Sequence, residues 1–226
     1  MIKLSVSRRS FLASAALLLT LLAAISVTPN ASALGNLYVG SNTPNQTANF
    51  TSGTNGYSSI YVGYNTPSSN NILNVANTNT LLTNSEDLYV GYDGSGNRLI
   101  ISNGATVSVV GLTNGVTIGQ NADSLNNSLT VTGTGSLLTN SQDLFVGSDG
   151  SGNSLTISNG ATVSVVGNNY GTVIGLNSDS LNNSLTVTGT GSLLTNSQDL
   201  FLGVDGSGNS LTISNGATVS VVGNNY

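Results

Sequence analysis

Residues 143 to 165 read Asp143-Leu144-Phe145-Val146-Gly147-Ser148-Asp149-Gly150-Ser151-Gly152-Asn153-Ser154-Leu155-Thr156-Ile157-Ser158-Asn159-Gly160-Ala161-Thr162-Val163-Ser164-Val165. Three short runs stand out in it: Leu144-Phe145-Val146, Leu155-Thr156-Ile157-Ser158 and Val163-Ser164-Val165. In each, apolar residues alternate with polar or aromatic ones, the pattern of strands with one buried face. Gly, Asn, Asp and Ser fill the joins, and these residues suit tight corners and left-handed backbone. The opening motif Asp143-Leu144-Phe145-Val146-Gly147 recurs as Asp199-Leu200-Phe201-Leu202-Gly203 and, earlier, as Asp87-Leu88-Tyr89-Val90-Gly91, a period of 56 residues. A period of 28 lies inside it, because the closing glycine falls at Gly63, Gly91, Gly119, Gly147, Gly175 and Gly203. Gly40 precedes Gly63 by only 23 residues, so the first unit is shorter and irregular.

A single unit this small cannot close a core, whereas stacked units bury a continuous one. The expected fold is therefore all-β, a right-handed parallel β-helix of about seven coils of 28 residues. Stacked equivalents would lie about 4.8 Å apart along the axis. Three inward columns are predicted. The first is Val62, Val90, Ile118, Val146, Ile174 and Leu202; the second is Leu73, Leu99, Leu129, Leu155, Leu185 and Leu211. The third is Leu81, Val107, Leu137, Val163, Leu193 and Val219. A β-propeller needs blades of about 40 residues or more, which this period does not supply.

The 226 residues include only four Lys or Arg against nine Asp or Glu, and there is no His, Cys or Trp. Ser-His-Asp and Cys-His nucleophilic machinery, His- or Cys-ligated zinc and disulfides are all excluded. Three of the four cations, Lys3, Arg8 and Arg9, precede an apolar run from Phe11 to Val27 that ends in Ala31-Ser32-Ala33. A basic start, an apolar middle and a small-x-small ending read as a secretory signal peptide over 1–33, cleaved after Ala33. Ser7-Arg8-Arg9-Ser10-Phe11-Leu12 also resembles a twin-arginine export signal, leaving the Sec and twin-arginine routes both open. The organisation expected is a leader at 1–33, an irregular first coil or N-terminal cap at 34–59, and repeats over 60–226 that stop in mid-repeat at Tyr226. No later stretch has the ~20 apolar residues that span a bilayer. Without the leader the chain keeps nine acids and Arg98, a net charge of −8, so nucleic acid is excluded as a partner.

The pattern Leu-Phe-Val-Gly, then Gly-Ser-Gly-Asn-Ser-Leu-Thr-Ile-Ser-Asn-Gly-Ala-Thr-Val, then Val-Ile-Gly, resembles the repeat of the type V secretion and PEP-CTERM-associated family over residues 60 to 226. That resemblance implies a bacterial surface or secreted β-helix of the autotransporter-passenger kind. The departure from the family is at the C-terminus, where no barrel-length alternation follows the repeats, so outer-membrane association is expected only if a further C-terminal anchor exists. A final coil without a cap exposes unpaired backbone groups, which points to end-to-end self-association.

Two sites are expected. Asp93, Asp123, Asp149, Asp179 and Asp205 occur about once per coil just after the first strand. Stacked like charges would repel, so a calcium ion along this edge is one expectation, and plain turn chemistry the other. The outward position of the first strand holds Tyr61, Tyr89, Phe145 and Phe201, with Thr117 and Val173 between them. Such a ring ladder would suit surface glycans or another cell-surface chain, unless neighbouring loops cover it. Thr130, Thr132, Thr156, Thr186, Thr188 and Thr212 form a partial array of the kind seen on ice-binding solenoids, broken by Asn74 and Ile100. A glycosidase pair is conceivable only at Glu86 and Asp87, but neighbours on a strand face opposite ways. No catalytic residue or cofactor is therefore expected. The functional expectation is an exported structural or adhesive surface protein; the alternatives are a carbohydrate-active β-helix enzyme and a fragment without independent function.

Overall fold

Leu155 stands beside Leu129 on one neighbouring strand and beside Leu185 on the other, and this one-to-one stacking runs the length of the molecule. The computed structural model describes residues 35–223, so the expected leader at 1–33 and the terminal Tyr226 lie outside the described residues. Within them the chain forms 21 strands, β1 to β21 in chain order. One coil runs through β13 (Leu144–Val146), β14 (Ser154–Ser158) and β15 (Thr162–Val165). Every third strand pairs in parallel, giving three seven-stranded sheets. The molecule is a parallel β-solenoid of about seven turns, each of about 27 residues. Its first turn already carries all three strands, β1 (Leu37–Val39), β2 (Thr47–Phe50) and β3 (Gly53–Tyr57). Among the described residues no helix is long and apolar enough to cross a membrane.

The first two predicted columns are the core. Val62, Val90, Ile118, Val146 and Ile174 are fully buried, as are Leu73, Leu99, Leu129, Leu155 and Leu185. In the last turn Leu202, Ile213 and Val221 stand half-exposed.

The third column needs a correction at every second coil. Leu82, Leu138 and Leu194 point inward, not Leu81, Leu137 and Leu193. Leu138 pairs with Val107 and Val163, while Leu137 pairs with Thr106 and Thr162 on the outer side. Adjacent leucines leave a period-two pattern undecided. The decision comes from two polar residues that share the inner face, Ser136 and Asn140, each buried to 1% exposure. The Ser136 hydroxyl donates to the Thr132 carbonyl at 2.8 Å and accepts the Gly104 N–H at 3.0 Å. The Asn140 amide donates to the Asp143 carbonyl at 2.8 Å. Both side chains satisfy corner backbone from inside, which forces the leucine between them to the same side.

A second inward feature lies two residues before each leucine of the second column. Asn71, Asn97, Asn127, Asn153 and Asn183 are completely buried and stack on one another, ending at Asn209. From Asn97 onward each side-chain carbonyl accepts the backbone N–H of the equivalent Asn one coil earlier, at 2.8–3.0 Å, and the Asn71 carbonyl accepts the Gln46 N–H at 2.8 Å. In the first three steps the amide Nδ2 also donates to that oxygen, at 2.9, 3.0 and 3.2 Å. Successive rungs are 26 and 30 residues apart in alternation, so the chain path lengthens and shortens while the stack stays in register. The marker glycines pack against this ladder. Gly147 has φ +81° and faces the Asn183 amide so closely that a Cβ there would collide with it.

The inner-face assignment has a direct test. Leu138→Ala is expected to cost about 2–5 kcal/mol in chemical denaturation, as for a buried leucine. Leu137→Ala on the adjacent outer position is expected to cost no more than about 1 kcal/mol. Equal losses at the two positions would contradict the assignment.

Candidate functional site

The first sheet carries the ring ladder, and its outward side chains do not share one environment. Tyr38, Tyr61 and Tyr89 stack face to face, with ring centres 5.1 Å apart and planes within 9° and 11°. Strand register puts these residues directly opposite one another at the coil spacing, so parallel stacking follows from the backbone. Farther along, Thr117 and Val173 interrupt the rings and are fully buried. Tyr89 and Phe145 are only 7% exposed, whereas Phe201 in the last turn is 36% exposed. Loops provide the cover. Tyr170 sits edge-on between Phe145 and Phe201, 6.1 Å from each, over the gap that Val173 leaves. Asn114 donates its amide to the Tyr89 hydroxyl at 3.2 Å.

What holds those loops down is a pair of buried carboxylates that sequence reasoning did not assign. Asp143 Oδ1 accepts four consecutive backbone N–H groups, from Asn168, Asn169, Tyr170 and Gly171, at 2.8–3.2 Å. Asp87 Oδ1 does the same for Leu112, Thr113, Asn114 and Gly115, at 2.9–3.3 Å. Asp87 Oδ2 also accepts the hydroxyl protons of Thr113 and Tyr89, at 2.5 and 3.2 Å. The signal was present, since these aspartates open the 56-residue repeat. Their role was hidden because the loop each one anchors comes about a full coil later. For Asp199 the equivalent loop would fall on residues 224–226, outside the described residues. Burial pushes the Asp87 carboxyl up, but the Thr113 hydroxyl and the N–H groups of Gly115, Thr113 and Leu112 outweigh it and hold it below the usual carboxylate range. The Glu86 carboxylate accepts the Ser59 hydroxyl at 2.7 Å, so the two neighbouring acids serve different loops.

The acid edge also differs from the predicted row. Asp93, Asp149 and Asp205 occupy one column, but Asn121 and Asn177 stand between them. Asn121 donates its amide to Asp93 Oδ1 at 2.5 Å, and Asn177 does so to Asp149 Oδ1 at 2.7 Å. Carboxylates in that column are thus two coils apart, about 10 Å, where screening by water and salt leaves little repulsion. Asp123 and Asp179 lie two positions farther on, both exposed, and their backbone carbonyls accept the hydroxyls of Ser95 and Ser151 at 2.6 Å. The structure therefore divides the five acids between two rows, and among the described residues no three carboxylates converge as a metal site would require.

On the second sheet, Thr130, Thr156, Thr186 and Thr212 are in strict register. The adjoining row alternates Thr132, Ser158, Thr188 and Ser214, and in it Ser158 donates its hydroxyl to Thr132 and Ser214 to Thr188, each at 2.9 Å.

Three phenols of the cluster, Tyr61, Tyr64 and Tyr89, are held neutral. Tyr61 and Tyr64 are raised above the ordinary tyrosine value, mainly by burial and then by neighbouring phenols, with Asp93 adding to the rise at Tyr64. Burial raises Tyr89 further, and the adjacent Asp87 adds to it. At neutral pH these hydroxyls are donors and acceptors, not charges.

Comparisons with protein-family models, with curated proteins and with solved structures find no match for this chain.

Two measurements probe this architecture. The folded Asp87 carboxyl lies below its unfolded value, so its contribution is complete above about pH 4 and lost as pH falls through the folded value. Asp87→Asn is expected to cost about 1–3 kcal/mol at neutral pH and to flatten the acid limb of the melting-temperature profile. An acid limb parallel to the parent's would show that this carboxylate does not produce it. At the other corner, Asn121→Asp would place acids on three consecutive coils and is expected to destabilise by roughly 1 kcal/mol. Calcium should restore that loss while leaving the parent's melting curve unmoved; a parent that responds to calcium or chelator would reinstate a native cation edge.

Proposed function

We propose that this chain is an exported bacterial protein of the cell surface or the surrounding medium, with a structural and adhesive role similar to that of autotransporter passenger segments. The observation that carries this reading is the unbroken stack: every described turn repeats the same three strands, leaving long lateral faces. Binding along such faces depends on shape and on side chains that recur once per coil. Supporting it, the basic, apolar and small-residue order of residues 1–33 is that of an export leader. Beyond it a single cation, Arg98, faces nine acids. That charge pattern suits a partner that is neither nucleic acid nor anionic lipid. The carboxylate that a hydrolase would need beside Glu86 is occupied, since Asp87 receives six hydrogen bonds from the 112–115 loop and Tyr89.

The reading is tested by expressing the full chain with an epitope tag in a Gram-negative host. The expected result is a product whose N-terminus begins at Leu34, recovered outside the cytoplasm, with increased adhesion of the expressing cells to glycan-coated surfaces. An uncleaved, cytoplasmic product, or export without any gain in adhesion, would overturn it.

A further inference from the structure

The aromatic face has a second, half-buried part beside the stack. Tyr64 and Tyr92 follow the marker glycines Gly63 and Gly91, and their rings lie beside the Tyr38-Tyr61-Tyr89 stack. Tyr64 is 5.2 Å from Tyr38 and 4.9 Å from Tyr61, with planes inclined 69° and 73°. Tyr92 is 5.8 Å from Tyr61 and 5.1 Å from Tyr89, inclined 77° and 87°. Two inclined rings so close cannot meet edge to edge without overlap. Each flanking ring therefore lays one face across the edges of the stacked rings and turns its other face away from them. Only Tyr61 uses both faces within the stack, and Tyr89 has Thr117 beside its second face, so the cluster presents the terminal face of Tyr38 together with the outer faces of Tyr64 and Tyr92. Both residues are only half-buried, and their centres lie 5.4 Å apart with a tilt of 31°. Together they make a two-ring strip that advances by one coil along the solenoid axis.

The surroundings of the strip discriminate among partners. Each ring is followed in sequence by a polar side chain, Asn65 after Tyr64 and Asp93 after Tyr92. Asn65 donates its amide to Asn42 at 2.6 Å, and Asp93 accepts the Asn121 amide. Flat rings bordered by amides and a carboxylate match a ligand with C–H faces and many hydroxyls. The π face is electron-rich and attracts polarised C–H groups, while the rim supplies donors and acceptors to hydroxyls. Along the column the rings are flanked by Ser41 and Gln120, whose polar side chains suit a hydroxyl-rich ligand better than the aliphatic side chains of a protein partner. An anionic polymer would meet Asp93 with no lysine or arginine from residues 41 to 97.

From this geometry we infer that Tyr64 and Tyr92 form a stacking platform for a neutral polysaccharide lying along the solenoid axis, with one sugar ring over each tyrosine. This rests on the adhesive role proposed above and assigns it to the first third of the solenoid. The stacked Tyr61 and Tyr89 act beneath the platform as support, and the recognition surface is the pair of flanking rings.

The test is native affinity electrophoresis of the purified full chain through gels containing linear β-glucan, mannan or amylose, with alginate as the anionic comparison. At least one neutral polymer is expected to retard the protein, and alginate to leave it unretarded. Tyr64→Leu and Tyr92→Leu keep an apolar cover over the stack but remove the flat π face, and each should weaken retardation by about tenfold. Tyr64→Phe should retain it, and Phe201→Ala, at the far end of the ladder, should leave it unchanged. Circular dichroism confirms that the leucine variants remain folded. No retardation by any neutral polymer, or retardation indifferent to both leucine variants, overturns the proposal. So does a dimer that depends on these tyrosines and forms without sugar. Expressing cells that adhere equally with the leucine variants would refute this platform while leaving the adhesive role standing; cells that never adhere would refute both.

Discussion

Axial register is the constraint on which everything else in this molecule depends, and the buried asparagine ladder enforces it. In a chain whose repeats are nearly identical, aliphatic columns alone are forgiving. A leucine is satisfied by any aliphatic neighbour, and a small axial shift costs little within the core. A buried carboxamide is not forgiving. Each Asn oxygen takes the N–H of the equivalent residue one coil earlier, in a space closed on the other side by a glycine that cannot accept a Cβ. Misplacing the strand by one residue would leave that buried oxygen and the N–H it accepts unpaired, at a cost well above that of any single methyl contact. The two coil variants show how strict the requirement is, because they reach the same ladder by paths of 26 and 30 residues.

Register then sets the chemistry of the surface. Side chains on the first sheet meet their equivalents at ring-stacking distance, which turns three tyrosines into one rigid pile. The same spacing would crowd acids along the corner, and the alternation of Asp with Asn relieves it by placing an amide donor between successive carboxylates. Where a longer corner must fold back over the aromatic face, a buried aspartate gathers its backbone N–H groups and holds it there. A partner at the outer surface thus meets side chains already fixed in place, which lowers the entropic cost of binding.

Much of this was legible in the residues and some of it was not. The 28-residue marker glycines, the three runs per unit and the first two core columns are properties of order along the chain, and they carried over directly. The third column failed at Leu137 because Leu137-Leu138 is symmetric to a period-two pattern, and only the corner bonds of Ser136 and Asn140 break that symmetry. The acid row failed because Asp93 and Asp123 were grouped by falling about once per coil just after the first strand, while stacking matches Asp93 with Asn121. Phe145 was correctly placed on the outer side of its strand, yet outer did not mean open, since Tyr170 folds over it from a loop. Tyr64 and Tyr92 drew no notice in the sequence because only two coils carry a tyrosine at that position.

By itself the sequence determined the repeat, its all-β character, the alternation of two coil variants and the near absence of basic residues after residue 9. These depend on residue identity and spacing, which local propensity and periodicity read directly. Tertiary structure alone decided which asparagines are buried, which aspartates clamp loops, and which aromatic rings still present a face. Each of those outcomes joins residues about one coil apart in the chain, and they become neighbours only once parallel stacking has fixed which residue lies above which.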